Sequence, residues 1–207
     1  MSDFTRHAES CRLAKIALRG QLLALRRSKT RDALSDAAAR VQKALLDHVR
    51  RQSPTVIAAY VPIGAEPGGR DLPEALRRAA PTASVLLPVL LPDGDLDWTP
   101  YEDSSSLRPG PRGLLEPTGP RLGTSAVSNA ELVVVPALAI DRRGVRMGRG
   151  GGSYDRALAR VPDTAFTVAL LHDGELLAEV PTEPHDRRVR AAITPAEGLS
   201  ESLDWTK

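Results

Sequence analysis

Apolar positions along the chain follow two different periods, and the switch between them marks out its elements. Within residues 8–27, Ala14, Leu18, Leu22 and Leu25 recur at steps of four, four and three, the spacing of one helix face. Ser28, Lys29 and Thr30 interrupt that pattern. Leu34, Ala38, Val41 and Leu45 then set a second helix that ends near Arg51, with Pro54 just beyond as a stop. Short continuous apolar runs follow at residues 55–61, 84–91, 132–140, 166–171 and 189–194, the mark of strands buried on both faces. A short helix over 73–80 separates the first two, its Pro placed acceptably near the start. Pro88 relegates the far end of the second run to a bend or an edge. Asp93-Gly94 predicts a tight turn into 96–98, hence a hairpin. Residues 104–128, rich in Pro, Gly and Ser, read as a long surface connection. Strand 132–140, glycine loop 144–152, helix 153–160 and strand 166–171 form a βαβ unit, which calls for parallel pairing with a right-handed crossover. After 189–194 only a polar tail remains. The fold class is α/β: a three-layer α/β/α single domain over 1–207, with a mostly parallel central sheet and an N-terminal helical pair.

Composition narrows the function classes. A chain of 207 residues with 42% hydrophobic and 26% charged residues is long enough for one core and too apolar for disorder. Aromatics at 3% make that core aliphatic and argue against a base-stacking platform. The single Cys11 excludes an internal disulfide framework and a thiolate zinc site. Lysine occurs only at 15, 29, 43 and 207, and arginines come in scattered pairs, so the net charge of +2 forms no nucleic-acid face. The first twelve residues carry no signal-type apolar run, and 132–140 is too short to span a bilayer. The expectation is a cytoplasmic protein with neither nucleic acid nor membrane as partner.

The candidate chemistry lies in Arg142 to Arg156. Gly148, Gly150, Gly151 and Gly152 directly precede the helix that starts at Ser153. Glycines let backbone N–H groups turn toward an anion, and a helix start adds partial positive charge. Arg146 and Arg149 add full charges suited to phosphate. Asp155 sets a carboxylate in the first turn, where a magnesium ion bridging phosphates would sit. The same residues also fit a flexible loop whose Asp complements the helix dipole. Three common motifs fail: no lysine follows a glycine as a P-loop requires, Gly148 lies too far past Ile140 for a dinucleotide fingerprint, and Asp155 stands where a nucleophile elbow needs glycine.

The stretch Gly148-Arg149-Gly150-Gly151-Gly152-Ser153-Tyr154-Asp155 resembles the Gly-Xaa-Gly-Xaa-Gly-Tyr-Tyr-Asp signature of the 5-formyltetrahydrofolate cyclo-ligase family, also called 5,10-methenyltetrahydrofolate synthetases. Three further matches keep the family's order: Lys15-Ile16-Ala17-Leu18-Arg19, Tyr60-Val61 followed by Glu66, and Pro184-His185-Asp186, with 134–141 similar to the strand before the glycine loop. Ser153 departs from the first tyrosine, and Gly151 stands where many members carry lysine. The resemblance implies ATP-dependent closure of 5-formyltetrahydrofolate to 5,10-methenyltetrahydrofolate through a phosphorylated formyl group. It implies ATP contacts from Lys15, Ile16, Ala17, Leu18, Arg19, Arg146, Met147, Gly148, Arg149, Gly150, Gly151, Gly152, Ser153 and Tyr154. Folate contacts would come from Val61, Glu66, Arg149, Gly150, Gly151, Gly152 and Ser153, and magnesium ligands from Asp155 and Asp186.

Read without the family, these residues keep plainer options. Lys15 and Arg19 share one helix face and equally describe a solvated basic surface. Glu66, in a loop after a strand, falls where open α/β sheets bind ligands, or is a surface carboxylate. Asp186 equally suits a turn or an ion pair, His185 reads as structural, and Cys11 has no base near it in sequence. Two other functions stay open: a phosphate-binding regulatory protein without catalysis, and a serine hydrolase using Ser153.

Overall fold

A computed structural model describes residues 3–201 of the protein, with side chains from Glu9 onward. Two helices come first, α1 (Asp3–Arg27) and α2 (Arg31–Gln52), followed by β1 (Val56–Ala58), α3 (Leu72–Ala79), β2 (Ser84–Leu90) and β3 (Leu96–Pro100). A hairpin, β4 (Leu107–Pro109) and β5 (Leu115–Pro117), leads to β6 (Leu132–Pro136), β7 (Ala139–Asp141), β8 (Arg146–Met147) and α4 (Ser153–Leu158). The chain continues through β9 (Phe166–Leu170), β10 (Leu176–Leu177), β11 (Ala191–Thr194) and β12 (Gly198–Glu201).

The main sheet has the order β12-β11-β9-β6-β1-β2-β3, parallel throughout except for the two edge strands. Its side chains alternate faces, as a strand's period of two requires. Ile57, Leu132, Val134, Val168, Leu170 and Ile193 face Val41, Leu45 and Val49 of α2 and Leu72 and Leu76 of α3. Ala58, Val133, Val135, Ala169 and Ala192 face Ala157 and Leu158 of α4, Trp98, and the 3₁₀ turn Thr124–Asn129. The three-layer reading therefore holds, and β6 pairs with β9 in parallel, as the βαβ pattern predicts. The polar break before α2 is its cap: Thr30 Oγ1 accepts from Ala33 N at 3.2 Å.

Three expectations change. Residues 132–140 are not one strand. The run breaks after Pro136; Leu138 N then donates to Met147 O, and β7 joins a separate sheet of order β10-β7-β8. Cations take the carbonyls freed at the bend: Arg146 Nη1 donates to Pro136 O and Arg26 Nη2 to Ala137 O. Residues 104–128 hold β4, β5 and three 3₁₀ turns rather than bare connection, with Ala126 and Val127 in the core. The tail continues into β12, which pairs antiparallel with β11 across Gly198 at φ +70°. The far end of β2 is an edge, as Pro88 predicts, because residues 88–90 pair with β3 alone. Even-numbered residues of β2 turn their backbone groups toward β1, which pairs no further than Leu86, so the missing N–H has no ladder partner to lose.

Helix α1 departs most from its pattern. Leu25 is 61% exposed, and the buried face is Lys15, Leu22 and Arg26 at 3%, 4% and 3%. With Leu18, Leu22 packs on Leu138, Ala139, Val145 and Met147 of the small sheet. This sets α1 across the C-terminal ends of the parallel strands.

Candidate active site

Strands β1 and β6 are neighbours, yet the chain leaves β1 toward β2 and leaves β6 toward β9. That reversal is the switch point where open α/β sheets bind ligands, beyond the carboxyl ends of their strands. A cavity of about 1050 Å³ opens there. Its walls are α1, the loop after β1, the 136–138 bend, the glycine segment 148–152 and residues 183–187. Nine arginine and lysine side chains line it against four carboxylates, so it suits an anionic ligand.

Each matched segment contributes in a defined way. Lys15 Nζ bonds Glu183 Oε2 at 2.7 Å and Asp186 Oδ2 at 2.5 Å, which removes the solvated-face reading and makes Asp186 an ion-pair partner. Burial opposes the Lys15 charge, but bonds to Asp186 and Glu183 outweigh it and hold the ammonium above its ordinary value. Burial likewise opposes the Asp186 charge; Lys15 and the Glu183 N–H overcome it and hold the carboxyl below its usual range. Arg19 Nε donates to Gly148 O at 2.9 Å, tying α1 to the glycine segment. Gly150 sits at φ +95° with Arg19 beside it, and Gly152 is left-handed at φ +70° with the Arg156 guanidinium where a Cβ would point. These two positions require glycine on backbone grounds.

Arg146 is buried and pairs with Asp155 Oδ1 at 2.7 Å, and the Arg187 N–H reaches the same oxygen at 3.2 Å. Glu66 accepts from Ile63 N at 3.0 Å and pairs with Arg149 at 3.1 Å, so the loop after β1 meets the glycine segment directly. Ile16, Met147, Gly151 and Ser153 also line the cavity. Tyr154 lines it too, its hydroxyl buried without a partner, and burial pushes that phenol far above its ordinary value.

Other expected contacts lie elsewhere. Ala17 is exposed, Leu18 packs toward the small sheet, and Val61 is in the core under α2, so none of the three lines the cavity. No hydrogen bond joins Ser153 to a histidine among the described residues. His48 stacks on Phe166, His172 bonds Ala65 O, and His185 lies beside Asp186. Among the described residues, the hydrolase reading has no hydrogen-bonded base. Sequence reasoning missed Glu183, whose signal is an acid three residues before Asp186. It also missed Arg112, brought to the cavity by the turn between β4 and β5.

Oxygen ligands suit magnesium, and the donor set here fits it. Both bonds to Asp155 fall on Oδ1, and no described residue engages Oδ2. Glu183, His185 and Asp186 bring ligand atoms within 4.8 Å of one another, a group that does not include Asp155.

Fold and site define an α/β protein with a cationic, glycine-walled cavity for a small anionic ligand at the switch point of its sheet. The chain belongs to the 5-formyltetrahydrofolate cyclo-ligase family, a family of ligases, whose profile matches residues 12–195. It is 39% identical over 191 residues to the 5-formyltetrahydrofolate cyclo-ligase of Mycolicibacterium smegmatis, covering 90% of this chain and 96% of that one. The Escherichia coli protein of the same name is 31% identical over 144 residues, 68% of this chain and 78% of that one. The fold matches the NMR structure of Aquifex aeolicus 5,10-methenyltetrahydrofolate synthetase with a TM-score of 0.73 at 22% identity, over 93% of this chain and 95% of that one. The Mycoplasma pneumoniae synthetase gives 0.68 at 18% identity, over 86% and 96%. Among the described residues, no helix is long and apolar enough to cross a membrane.

Proposed function

We propose that the protein closes 5-formyltetrahydrofolate to 5,10-methenyltetrahydrofolate with ATP in this cavity, acting as a cytoplasmic monomer. Beyond family membership, one observation carries the reading. Glu66 from the end of β1, Lys15 and Arg19 from α1, Arg146 and Arg149 around the glycines, and the carboxylates Asp155 and Asp186 converge on one cavity.

The formyl oxygen of the substrate is a poor leaving group. When it attacks the γ-phosphorus, an O–P bond forms and ADP departs. N10 then adds to the activated carbon and loses its proton, and C–O cleavage releases phosphate and leaves the N5=C–N10 bridge. Such transfer asks the protein chiefly for positioning and charge neutralisation. Lys15, Arg19, Arg146 and Arg149 would neutralise the phosphates, and Gly148 to Gly152 would let the backbone approach them. Glu66 would accept from pterin N–H groups and fix the folate. Asp155 and Asp186 would hold magnesium, which supplies charge neutralisation across the phosphates. Arg149 and Lys15 meet carboxylates in this structure, so ligand binding exchanges protein partners for phosphate.

The test combines the protein with 5-formyltetrahydrofolate, ATP and magnesium and follows methenyl absorbance beside phosphate release. Both signals should require all three components. Nucleotide binding without methenyl formation would leave the regulatory reading instead.

A further inference from the structure

The loop that carries Glu66 is held by three side chains, one from α2, one from the loop after β9 and one from the Glu66 loop itself. His172 Nε2 meets Ala65 O at 2.9 Å, Tyr60 Oη donates to Pro67 O at 3.1 Å, and Gln42 Nε2 donates to Gly68 O at 2.7 Å. Tyr60 is thus committed to the loop rather than to a ligand. Of the three anchors, His172 bonds the residue next to Glu66 and belongs to a larger buried network. Glu175 Oε2 accepts from the His172 backbone N–H at 2.8 Å. Both Glu175 oxygens receive Arg26, each at 2.7 Å, and Arg26 also donates to Ala137 O in the cavity wall. His172, Glu175 and Arg26 are 2%, 4% and 3% exposed. Arg26 stands on the same helix as Lys15 and Arg19.

A carbonyl partner fixes the Nε2–H tautomer of His172. Nδ1 is buried with no partner among the described residues, and burial lowers the affinity of the ring for a second proton, which favours the neutral imidazole. A neutral donor with an orphaned ring nitrogen is a costly way to fill a core, where an apolar side chain would leave no polar atom unpaired. Its gain is the single bond to Ala65.

We infer that His172 is a positioning residue for the folate half of the site: its Nε2–H sets Glu66 through Ala65, and Glu175 and Arg26 tie that setting to helix α1. The inference rests on the folate reading of Glu66. A misplaced carboxylate weakens the hold on the pterin and disturbs only its own partner Arg149, leaving Lys15, Arg19 and Arg146 in place for the phosphates, so the defect falls chiefly on folate.

The two amides separate this from a packing role. Glutamine carries its N–H₂ to the place of Nε2, whereas asparagine reaches only as far as Nδ1. Steady-state kinetics of wild type, E66A, H172N and H172Q, with each substrate varied in turn, should give a clear pattern. H172N raises KM for 5-formyltetrahydrofolate roughly tenfold, the size of one lost hydrogen bond, with KM for ATP within about twofold. H172Q restores the folate KM. If E66A is impaired for folate but H172N is normal, or H172N raises both KM values together, or H172Q fails to rescue, the positioning role is overturned. If E66A itself has a normal folate KM, the folate reading falls, and this inference with it.

Discussion

Lys15 is a buried cation in the cavity wall. Its ammonium is the shared partner of Glu183 and Asp186, and its side chain is only 4% exposed. Removing one member of such a pair strands the other. K15M should therefore lose about 3 kcal/mol of stability along with ATP affinity. R19A gives up one bond to Gly148 O and should lose affinity with little change in melting temperature. Calorimetric titration beside thermal unfolding distinguishes the two. The clamp also has a pH signature. Asp186 and Glu183 are depressed in the fold, so they contribute fully above the ordinary carboxylate value of about 4 and lose that contribution as pH falls through their folded values. Lys15 is raised, so it contributes fully below about pH 10 and fades as pH climbs through its folded value. The stability gap between wild type and K15M should be flat from about pH 5 to 9 and shrink at both ends. Ser153 is simpler. It lines the cavity with no hydrogen-bonded base among the described residues, so S153A should keep methenyl formation within a few-fold, whereas a hundredfold loss would give the hydroxyl a chemical role.

Elements were legible where apolar spacing alone decides them. Helix α2 and the parallel strands follow their patterns because most of what they bury is aliphatic. Helix α1 does not, because two of its buried side chains are cations whose partners lie far along the chain, and no local pattern marks a lysine for burial. The run at 132–140 looked like one strand since apolar count is blind to the turn after Pro136. The late strand β12 was hidden by its composition, Gly198, Leu199, Ser200 and Glu201, which is ordinary for an exposed edge. The glycine segment and Glu66 were legible through their motifs; Glu183 and Arg112 were not, since each acts by where the fold delivers it. One element-level contact is directly testable. Arg156 Nη2 bridges Gly94 O at 2.6 Å and Gly151 O at 3.3 Å, latching the β2–β3 turn to the glycine segment, and Asp95 pairs with Arg160 beside it. Gly94 sits at φ +83°, with Arg156 2.9 Å from where a Cβ would stand. G94A should cost about 1–3 kcal/mol in thermal or denaturant unfolding and raise KM for ATP.

At the scale of the molecule, the sheet reverses its winding between β1 and β6, and the cavity opens above that seam. Helix α1, the β1 loop, the glycine segment and residues 183–187 enclose it from four separate parts of the chain. A ligand that bridges them binds the folded state and not the unfolded one, so ATP with magnesium should raise the melting temperature. At a hundredfold excess over Kd the gain is about 2.7 kcal/mol, and a thermal shift series with and without 5-formyltetrahydrofolate measures it.

The closure of α1 onto the far end of the chain bears on how the protein is made. Lys15 meets partners 168 and 171 residues later, and Arg26 meets its carboxylate 149 residues later. At about 5–20 residues per second, the ribosome leaves the first helix waiting on the order of ten seconds or more before those partners exist. Through that interval its cations lack their carboxylates, and until residues 138–147 emerge the helix also lacks the small sheet on which Leu22 packs. Lys15 therefore emerges long before the carboxylates that clamp it, and this wall of the cavity is completed late relative to its own first residues. A nascent chain stopped before Glu183 would hold the glycine segment and Glu66 but no clamp for Lys15.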